Sequence, residues 1–415
     1  MGAVLNMQDI NNGRRVSEIE WAEVRYNKDG QPMPLKIWEN LECILEHYNI
    51  KVSLNEIDHE IYYEGISTGL GRNNKLTDVY SLQLKEGLNL SRDETMAGIK
   101  RIAEKNKFNP FVTMLKENKN DNYDLIMKVF STLDINDENV ENNIYYYNIF
   151  LKWCVNVVKM ANNTLENDYS SQGVLVLQGK QGCFKSTFCR NLMPRKEWFK
   201  GDKSLEPDKV DSVMQNTRYI LVEWGELDST LKGEQAKLKQ FITSTNDEYR
   251  SPYERLSEKH PRLTSYIGTV NKKDFLKDET GSRRFWIIPI NMCDTKKLNE
   301  IDMKEFWGAV YSLWLSGDVK EYLSKEEQET LNNINKEYNY ENDISIKLED
   351  GLDWSMPEDF WVVYKPSEIA NRLSIFELKK LKIELEKRGI YPKVHKVGGK
   401  CIRGYKIPNM NSQYY

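Results

Sequence analysis

A short apolar run, Val174-Leu175-Val176-Leu177, leads into Gly179-Lys180-Gln181-Gly182-Cys183-Phe184-Lys185-Ser186-Thr187, and a helical pattern from Phe188 to Leu192 follows. Strand, glycine-bearing loop and helix, in that order, form the setting in which a phosphate loop makes physical sense. Backbone N–H groups of Gly179, Gln181, Gly182, Cys183 and Phe184 would converge on a polyphosphate together with the positive end of the helix, and the glycines let the backbone come close enough to donate. Lys185 would reach the outer phosphates, Ser186 would place its hydroxyl on a magnesium ion, and Thr187 would add one more donor. One position departs from the usual pattern: Phe184 stands where such loops carry glycine before the lysine, and a left-handed backbone there is costly for a residue with a side chain. The competing reading is an ordinary strand-turn-helix with a chance Lys-Ser-Thr.

Three later apolar runs extend the α/β pattern. Tyr219-Ile220-Leu221-Val222 ends in Glu223, with Glu226 close behind. A carboxylate at a strand end beside the loop could hold magnesium or its water and polarise an attacking water; either glutamate could instead be a solvated turn residue. Tyr266-Ile267-Gly268-Thr269-Val270 ends in Asn271, an amide placed to bond a terminal phosphate or orient the water, although asparagine at a strand end is also a common turn former. Arg283 and Arg284 enter the run Phe285 to Ile290. They could neutralise charge on a transferring phosphoryl group, in the same subunit or a neighbouring one, or simply bond the nearby Asp278 and Glu279.

The chain of 415 residues suggests two or three domains, with 40% hydrophobic residues available for cores. No apolar run approaches 18 residues and no charged-then-apolar start is present, so the expectation is a cytoplasmic protein without a membrane partner. Cys43, Cys154, Cys183, Cys189, Cys293 and Cys401 form no Cys-x-x-Cys pair, and the four histidines are dispersed, which argues against zinc or a disulfide framework. Charge is uneven. From Trp361 to Tyr415 there are twelve Lys and Arg against four Glu and no Asp, a net of +8 in a chain of net −4. Such a basic end fits an anionic partner.

Residues 1 to 107 say least. Ile37 to Leu45 has helical spacing, Ile57 to Tyr63 alternates like a strand, and His59, beside acidic residues, reads as a surface histidine. In Tyr145 to Met160 the residues Tyr146, Phe150, Trp153, Val157 and Met160 recur on one helical face and read as packing. Lys259 and His260, before the Tyr266 strand, suit a hairpin facing a nucleic-acid backbone, though basic hairpins can also serve solubility.

Taken together, Gly179 to Thr187, Glu223 and Glu226, Phe241-Ile242 to Asp247, Arg250, Pro252-Tyr253, Pro261-Arg262, Gly268 to Asn271, and Thr280-Gly281 with Arg283-Arg284-Phe285-Trp286 resemble the virulence-associated protein E family and its relatives among the D5-type superfamily 3 helicases of phages and mobile islands. The resemblance spans roughly Phe108 to Trp314. It implies an AAA+-like ring ATPase, usually hexameric, that moves on single-stranded DNA with 3′ to 5′ polarity. It makes Lys185 and Ser186 the Walker A pair, Glu223 and Glu226 the Walker B carboxylates, and Asn271 the sensor. Arg283 or Arg284 becomes a finger acting in trans, with Lys259 and His260 near the tip of a pore hairpin.

At the carboxy end, Ser367 could cap a short helix over Glu368 to Leu373, and a second helix runs from about Phe376 to Arg388 before Gly389. Tyr391 to Lys396 and Cys401 to Ile407 then form a hairpin pattern. This is the outline of a winged helix whose phosphate contacts would be Lys379, Lys380, Lys382, Lys393, Lys396, Lys400 and Arg403. The expected organisation is an accessory region over 1–107, a helical collar over 108–165, an AAA+-like P-loop ATPase core over 166–330, a connector over 331–360 and a winged helix over 361–415. The expected fold is therefore α/β, with a helical N-terminal region. The expected function is an ATP- and Mg2+-dependent DNA helicase that initiates replication of a mobile element, with the origin and other replication proteins as partners. An ATP-switched regulator or loader and a non-enzymatic DNA-binding scaffold are the alternatives.

Overall fold

The computed structural model describes residues 19–66, 72–201, 209–225, 227, 235–249, 257–273, 275–276, 282–338, 343–376, 378–397 and 400–410. The chain divides into two compact units, 1–272 with 278–336, and 273–277 with 337–415.

The first unit opens with a hairpin of β1 (Val24–Tyr26) and β2 (Pro32–Pro34). A helix over Trp38–His47 follows, as its apolar spacing predicts, burying Leu41, Ile44 and Leu45. β3 (Lys51–Asn55) pairs antiparallel with β4 (Ile61–Glu64) and parallel with β5 (Lys107–Phe108). Helices Arg72–Lys85 and Arg92–Lys105 contribute Val79, Leu82, Ile99 and Ile102 to one core with Val52 and Tyr63. Ser91 and Glu94 close the start of the second of these helices reciprocally, with Ser91 N–H donating to Glu94 Oε2 at 2.8 Å and Glu94 N–H to Ser91 Oγ at 3.2 Å. The N-terminal part is thus mixed, not simply helical: Val52 and Leu54 favour a strand, in which Ser53 and Asn55 are buried as well.

The main sheet is mixed α/β with six strands, β6 (Leu133–Ile135), β7 (Val174–Gln178), β8 (Phe199–Lys200), β9 (Leu221–Trp224), β12 (Ser265–Val270) and β13 (Phe285–Cys293). Between β9 and β12 lies a separate hairpin of β10 (Asn246–Tyr249) and β11 (Glu258–Pro261). The order across the sheet is β6-β13-β7-β12-β9-β8, parallel throughout except at the β6 edge. Every residue of β7 and of β12 is buried. That is why their sequences read as continuous apolar runs and not as alternating ones: both faces are covered. The helix Val140–Ala161 supplies one cover, burying Tyr146, Phe150, Trp153, Val157 and Met160, and Trp153 Nε1 donates to the Tyr266 carbonyl at 3.1 Å.

The second unit contains helix Asp343–Gly351, β14 (Val362–Tyr364), helices Pro366–Arg372 and Leu378–Lys387, β15 (Lys393–Val397) and β16 (Lys400–Ile407). Its sheet is antiparallel, in the order β14-β16-β15, over a core that includes Ile344, Leu348, Ile369, Leu381, Leu385 and Tyr405. Phe275 and Leu276 belong to this unit and donate their N–H groups to the Tyr338 carbonyl at 3.1 and 2.9 Å. Ser367 is not the cap of its helix. Pro366 occupies the first turn, so the cap falls on Lys365, whose N–H donates to Glu368 Oε2 at 2.9 Å. Gly389, at φ 75°, follows the next helix as a left-handed stop. No helix among the described residues is long and apolar enough to cross a membrane.

Candidate functional site

β7 lies between β13 and β12, so the loop after it emerges where the tips of neighbouring strands converge. Gly179 is required there on steric grounds: a Cβ would sit 2.4 Å from the Ile290 carbonyl oxygen. Its N–H donates to the Val270 carbonyl at 3.1 Å, and Cys293 N–H donates to the Cys183 carbonyl at 3.0 Å, latching the loop to the ends of β12 and β13. Gly182 turns at φ 86°. Phe184 is itself left-handed, φ 62° and ψ 24°, directly before the helix Lys185–Asn191, and the residue is 52% exposed. The strain that the sequence raised is therefore present, at a cost of about 1–2 kcal/mol.

Lys185 is buried, and its ammonium donates to the carbonyls of Gly179 and Lys180 at 2.7 and 2.8 Å and to Asn271 Oδ1 at 3.0 Å, with Cys183 Sγ at 3.4 Å. Ser186 Oγ donates to Glu223 Oε1 at 2.5 Å, and Thr269 Oγ1 donates to the same oxygen at 3.0 Å. Glu223 is 2% exposed and makes no ion pair among the described residues. Lys185, Ser186, Glu223 and Asn271 are thus brought together from β7, β9 and β12 and the segments that follow β7 and β12. Gln181 and Gly182 are exposed on the loop, and Thr187 is half-buried. Glu226 lies outside the described residues. Thr269 went unassigned in the sequence because threonine is ordinary in a strand. So did Gly201, where a Cβ would come within 3.1 Å of Glu223 Oε2.

A buried carboxylate taking two hydroxyl donors but no cation is chemistry suited to a divalent ion. Among the described residues no three metal-ligating side chains cluster. Magnesium does not need such a cluster, since one carboxylate plus phosphates and waters is its usual set.

Arg283 and Arg284 do not join this group. Phe285 pairs with Val174 and Pro289 with Gln178, so the arginines enter at the edge where β7 begins while Lys185 follows the edge where β7 ends. Five residues of strand, about 16 Å, separate the two edges. Arg283 is exposed and Arg284 half-buried, and neither makes an ion pair or side-chain hydrogen bond among the described residues. Burial, with Arg283 alongside, holds the Arg284 pKa below the usual arginine value. Asp278, Glu279, Thr280 and Gly281 lie outside the described residues.

In the hairpin, Lys259 is exposed opposite Glu248, while His260 lies opposite Asp247 with its ring stacked on Tyr249 at 4.5 Å. His59 also packs against His260, ring centres 4.6 Å apart and the rings tilted. His59 is therefore not the free surface histidine that its acidic neighbours suggested, and His260 is covered. Burial, reinforced by His260, Arg218 and Lys107, pushes the His59 pKa down to about 3. The hairpin is anchored at Arg262, which is 1% exposed, donates Nε to Asp247 Oδ2 at 2.9 Å and pairs through Nη2 with Asp247 Oδ1. Arg250, Pro252 and Tyr253 are outside the described residues.

In the second unit Lys379, Lys380 and Lys382 lie exposed along helix Leu378–Lys387, Lys393 and Lys396 are exposed on β15, and Arg403 is exposed on β16. Lys400 begins β16, and its side chain is not among those described. Phe376, just before that helix, is 94% exposed.

A family model described as the virulence-associated protein E-like domain matches residues 115–340. Among solved structures, the apo structure of the NrS-1 C-terminal region aligns with a TM-score of 0.50 at 12% identity, covering 90% of this chain and 99% of that one. An A-form apo structure of the same region aligns with a TM-score of 0.47, also at 12% identity and over 90% of this chain and 99% of that one. At such identity the likeness is one of fold. No curated protein matches the sequence.

Proposed function

Because this chain belongs to the virulence-associated protein E-like family, we propose that it is an ATP-dependent DNA helicase and replication initiator of a mobile genetic element. In this reading several copies, six by preference, form a ring that moves on single-stranded DNA, and the C-terminal unit grips duplex DNA at an origin alongside other replication proteins. The observation that carries the reading is the convergence of Lys185, Ser186, Glu223 and Asn271 at adjoining strand tips, with Glu223 buried and lacking a cation.

ATP would lie along the loop, where Lys185 would exchange its contacts with the Gly179 and Lys180 carbonyls for the outer phosphates. Ser186 and Glu223 would hold magnesium or its waters, and the ion would supply positive charge to offset that of the phosphates. Glu223, with Glu226, would polarise the attacking water, and Asn271 would orient it. The separation of the arginines from the loop supports a role in trans for Arg283 or Arg284. At the carboxy end, the order helix, strand, helix, helix, strand, strand supports a winged helix, with Lys379, Lys380, Lys382, Lys393, Lys396, Lys400 and Arg403 meeting phosphates and Lys259 meeting the single strand.

One observation favours a second reading, an ATP-switched regulator or loader that hydrolyses without translocating: the His260 ring is covered by Tyr249 and His59, which leaves Lys259 as the exposed cation of that pair. Unwinding of a forked duplex, measured beside ATP turnover, separates the two. We expect Lys185→Ala to abolish both while leaving duplex binding intact. Robust turnover in the wild type without strand separation would select the regulator, and loss of duplex binding in Lys185→Ala would show that the labour is divided differently.

A further inference from the structure

At the edge of the sheet remote from Lys185, a cavity of about 250 Å³ is lined by Arg283, Arg284, Trp286, Gln328, Thr243 and Ser170, among others. At roughly 30 Å³ per water this admits a phosphate group with a few ordered waters. Its walls are unusual in what they leave unpaired. Arg284 Nε, Trp286 Nε1 and Gln328 Nε2 are all buried without a hydrogen-bond partner among the described residues. Three buried donors in one small cavity call for an explanation, because a donor stripped of water and left without an acceptor is destabilising. A shared acceptor would account for all three.

The charge around the cavity has the matching sign. Among the described residues no acidic side chain lines it. Of the carboxylates nearest in sequence to Tyr322 and Gln328, Glu327 pairs with Lys152 at 2.7 Å and Glu321 pairs with Lys159, while Glu329 is exposed and does not line the cavity. Two guanidinium groups therefore face the cavity without a local counter-charge among the described residues.

We propose that this cavity is a second oxyanion site, in which Arg284, Trp286 and Gln328 hold one phosphate group independently of the phosphate loop. The assignment divides the arginine pair: the half-buried Arg284 belongs to the wall of the site, and the exposed Arg283 is the residue free to reach another subunit. Two sources share the chemistry, a free or nucleotide phosphate and a phosphodiester of a DNA strand.

The test uses the full chain carrying Lys185→Ala, so that phosphate bound by the loop is suppressed, titrated with inorganic phosphate and followed by ³¹P line broadening. Saturable binding is expected. Adding Arg284→Gln should weaken it about tenfold or more, and adding Gln328→Leu should weaken it by a smaller factor, since a charge-assisted bond outweighs a neutral one. Arg283→Ala should change it less than about twofold, as a charge at the mouth of the site. Thermal melting checks that each variant is folded; Gln328→Leu, which removes a neutral side chain, remains informative if Arg284→Gln does not fold. A short single-stranded oligonucleotide that displaces phosphate would identify the DNA backbone as the source, and one that does not would identify a free or nucleotide phosphate. Absence of phosphate binding in the Lys185→Ala chain, or binding unmoved by both Arg284→Gln and Gln328→Leu, overturns the proposal. Either result leaves the nucleotide reading at Lys185 untouched, because that reading is judged by turnover.

Discussion

The backbone at Phe184 decides how the phosphate loop is held. With φ at 62° it adopts a conformation that glycine takes freely and a side chain resists. Replacing it with glycine or with alanine removes the ring in both cases, so the difference between the two variants isolates the backbone. Phe184→Gly should be more stable than Phe184→Ala by about 1 kcal/mol, the reverse of the order at an ordinary helical position. Urea midpoints of the two proteins provide the comparison, and equal midpoints would mean that the loop relaxes around the residue. This strain was legible in the sequence, because a residue with a Cβ before Lys185 stands where the loop turns left-handed. The Thr269 hydroxyl on Glu223 was not, since nothing local distinguishes a threonine that faces a carboxylate across the sheet from one that merely fills a strand.

Between elements, the contact of His59 with His260 ties the turn between β3 and β4 to the β10–β11 hairpin. In the folded chain His59 stays neutral down to about pH 3, whereas an unperturbed histidine takes up its proton near 6.5. Between those values the unfolded chain binds more protons. The stabilisation is therefore complete above pH 6.5 and is lost as pH falls toward 3, by about 1.4 kcal/mol per unit. His59→Asn, whose side chain tolerates the φ of 58° found there, should lose that dependence. Denaturant unfolding at pH 7 and pH 5 should show a fall about 2 kcal/mol larger in the wild type than in the variant; parallel falls would mean that the ring is solvated. Contacts of this kind join residues about two hundred apart and leave no pattern in either stretch. β7, β12 and β13, by contrast, were visible as apolar runs because burial on both faces leaves no polar alternation. β3 to β5 are short and half covered, and only β4 left a partial trace.

At the scale of the whole molecule, the second unit is uneven in charge: residues 337–360 hold eight Asp and Glu against one Lys, and the basic surface follows only after them. The +8 counted from Trp361 onward falls within the unit that begins at residue 337. Helix Asp343–Gly351, within the stretch expected to be a connector, contributes Ile344 and Leu348 to that unit's core. If Lys379, Lys382, Lys393, Lys396 and Arg403 each meet a phosphate, the logarithm of duplex affinity should fall against the logarithm of salt with a slope of about −4 to −5. Lys382→Ala should make that slope about one unit shallower. Fluorescence anisotropy across a salt series measures both; a slope near zero would make the unit a protein-docking module instead.

The two edges of the six-stranded sheet carry different equipment, the lysine loop at one and the arginine pair at the other, and the strands between them are too rigid to fold back. A catalytic centre that needs both must borrow one from a neighbour. Such a contact joins unlike faces, head to tail, so each copy that accepts a partner still offers an unused face of its own. A twofold pair leaves that need unmet, and the series has only two outcomes: it closes on itself as a circle, or it continues as an open spiral.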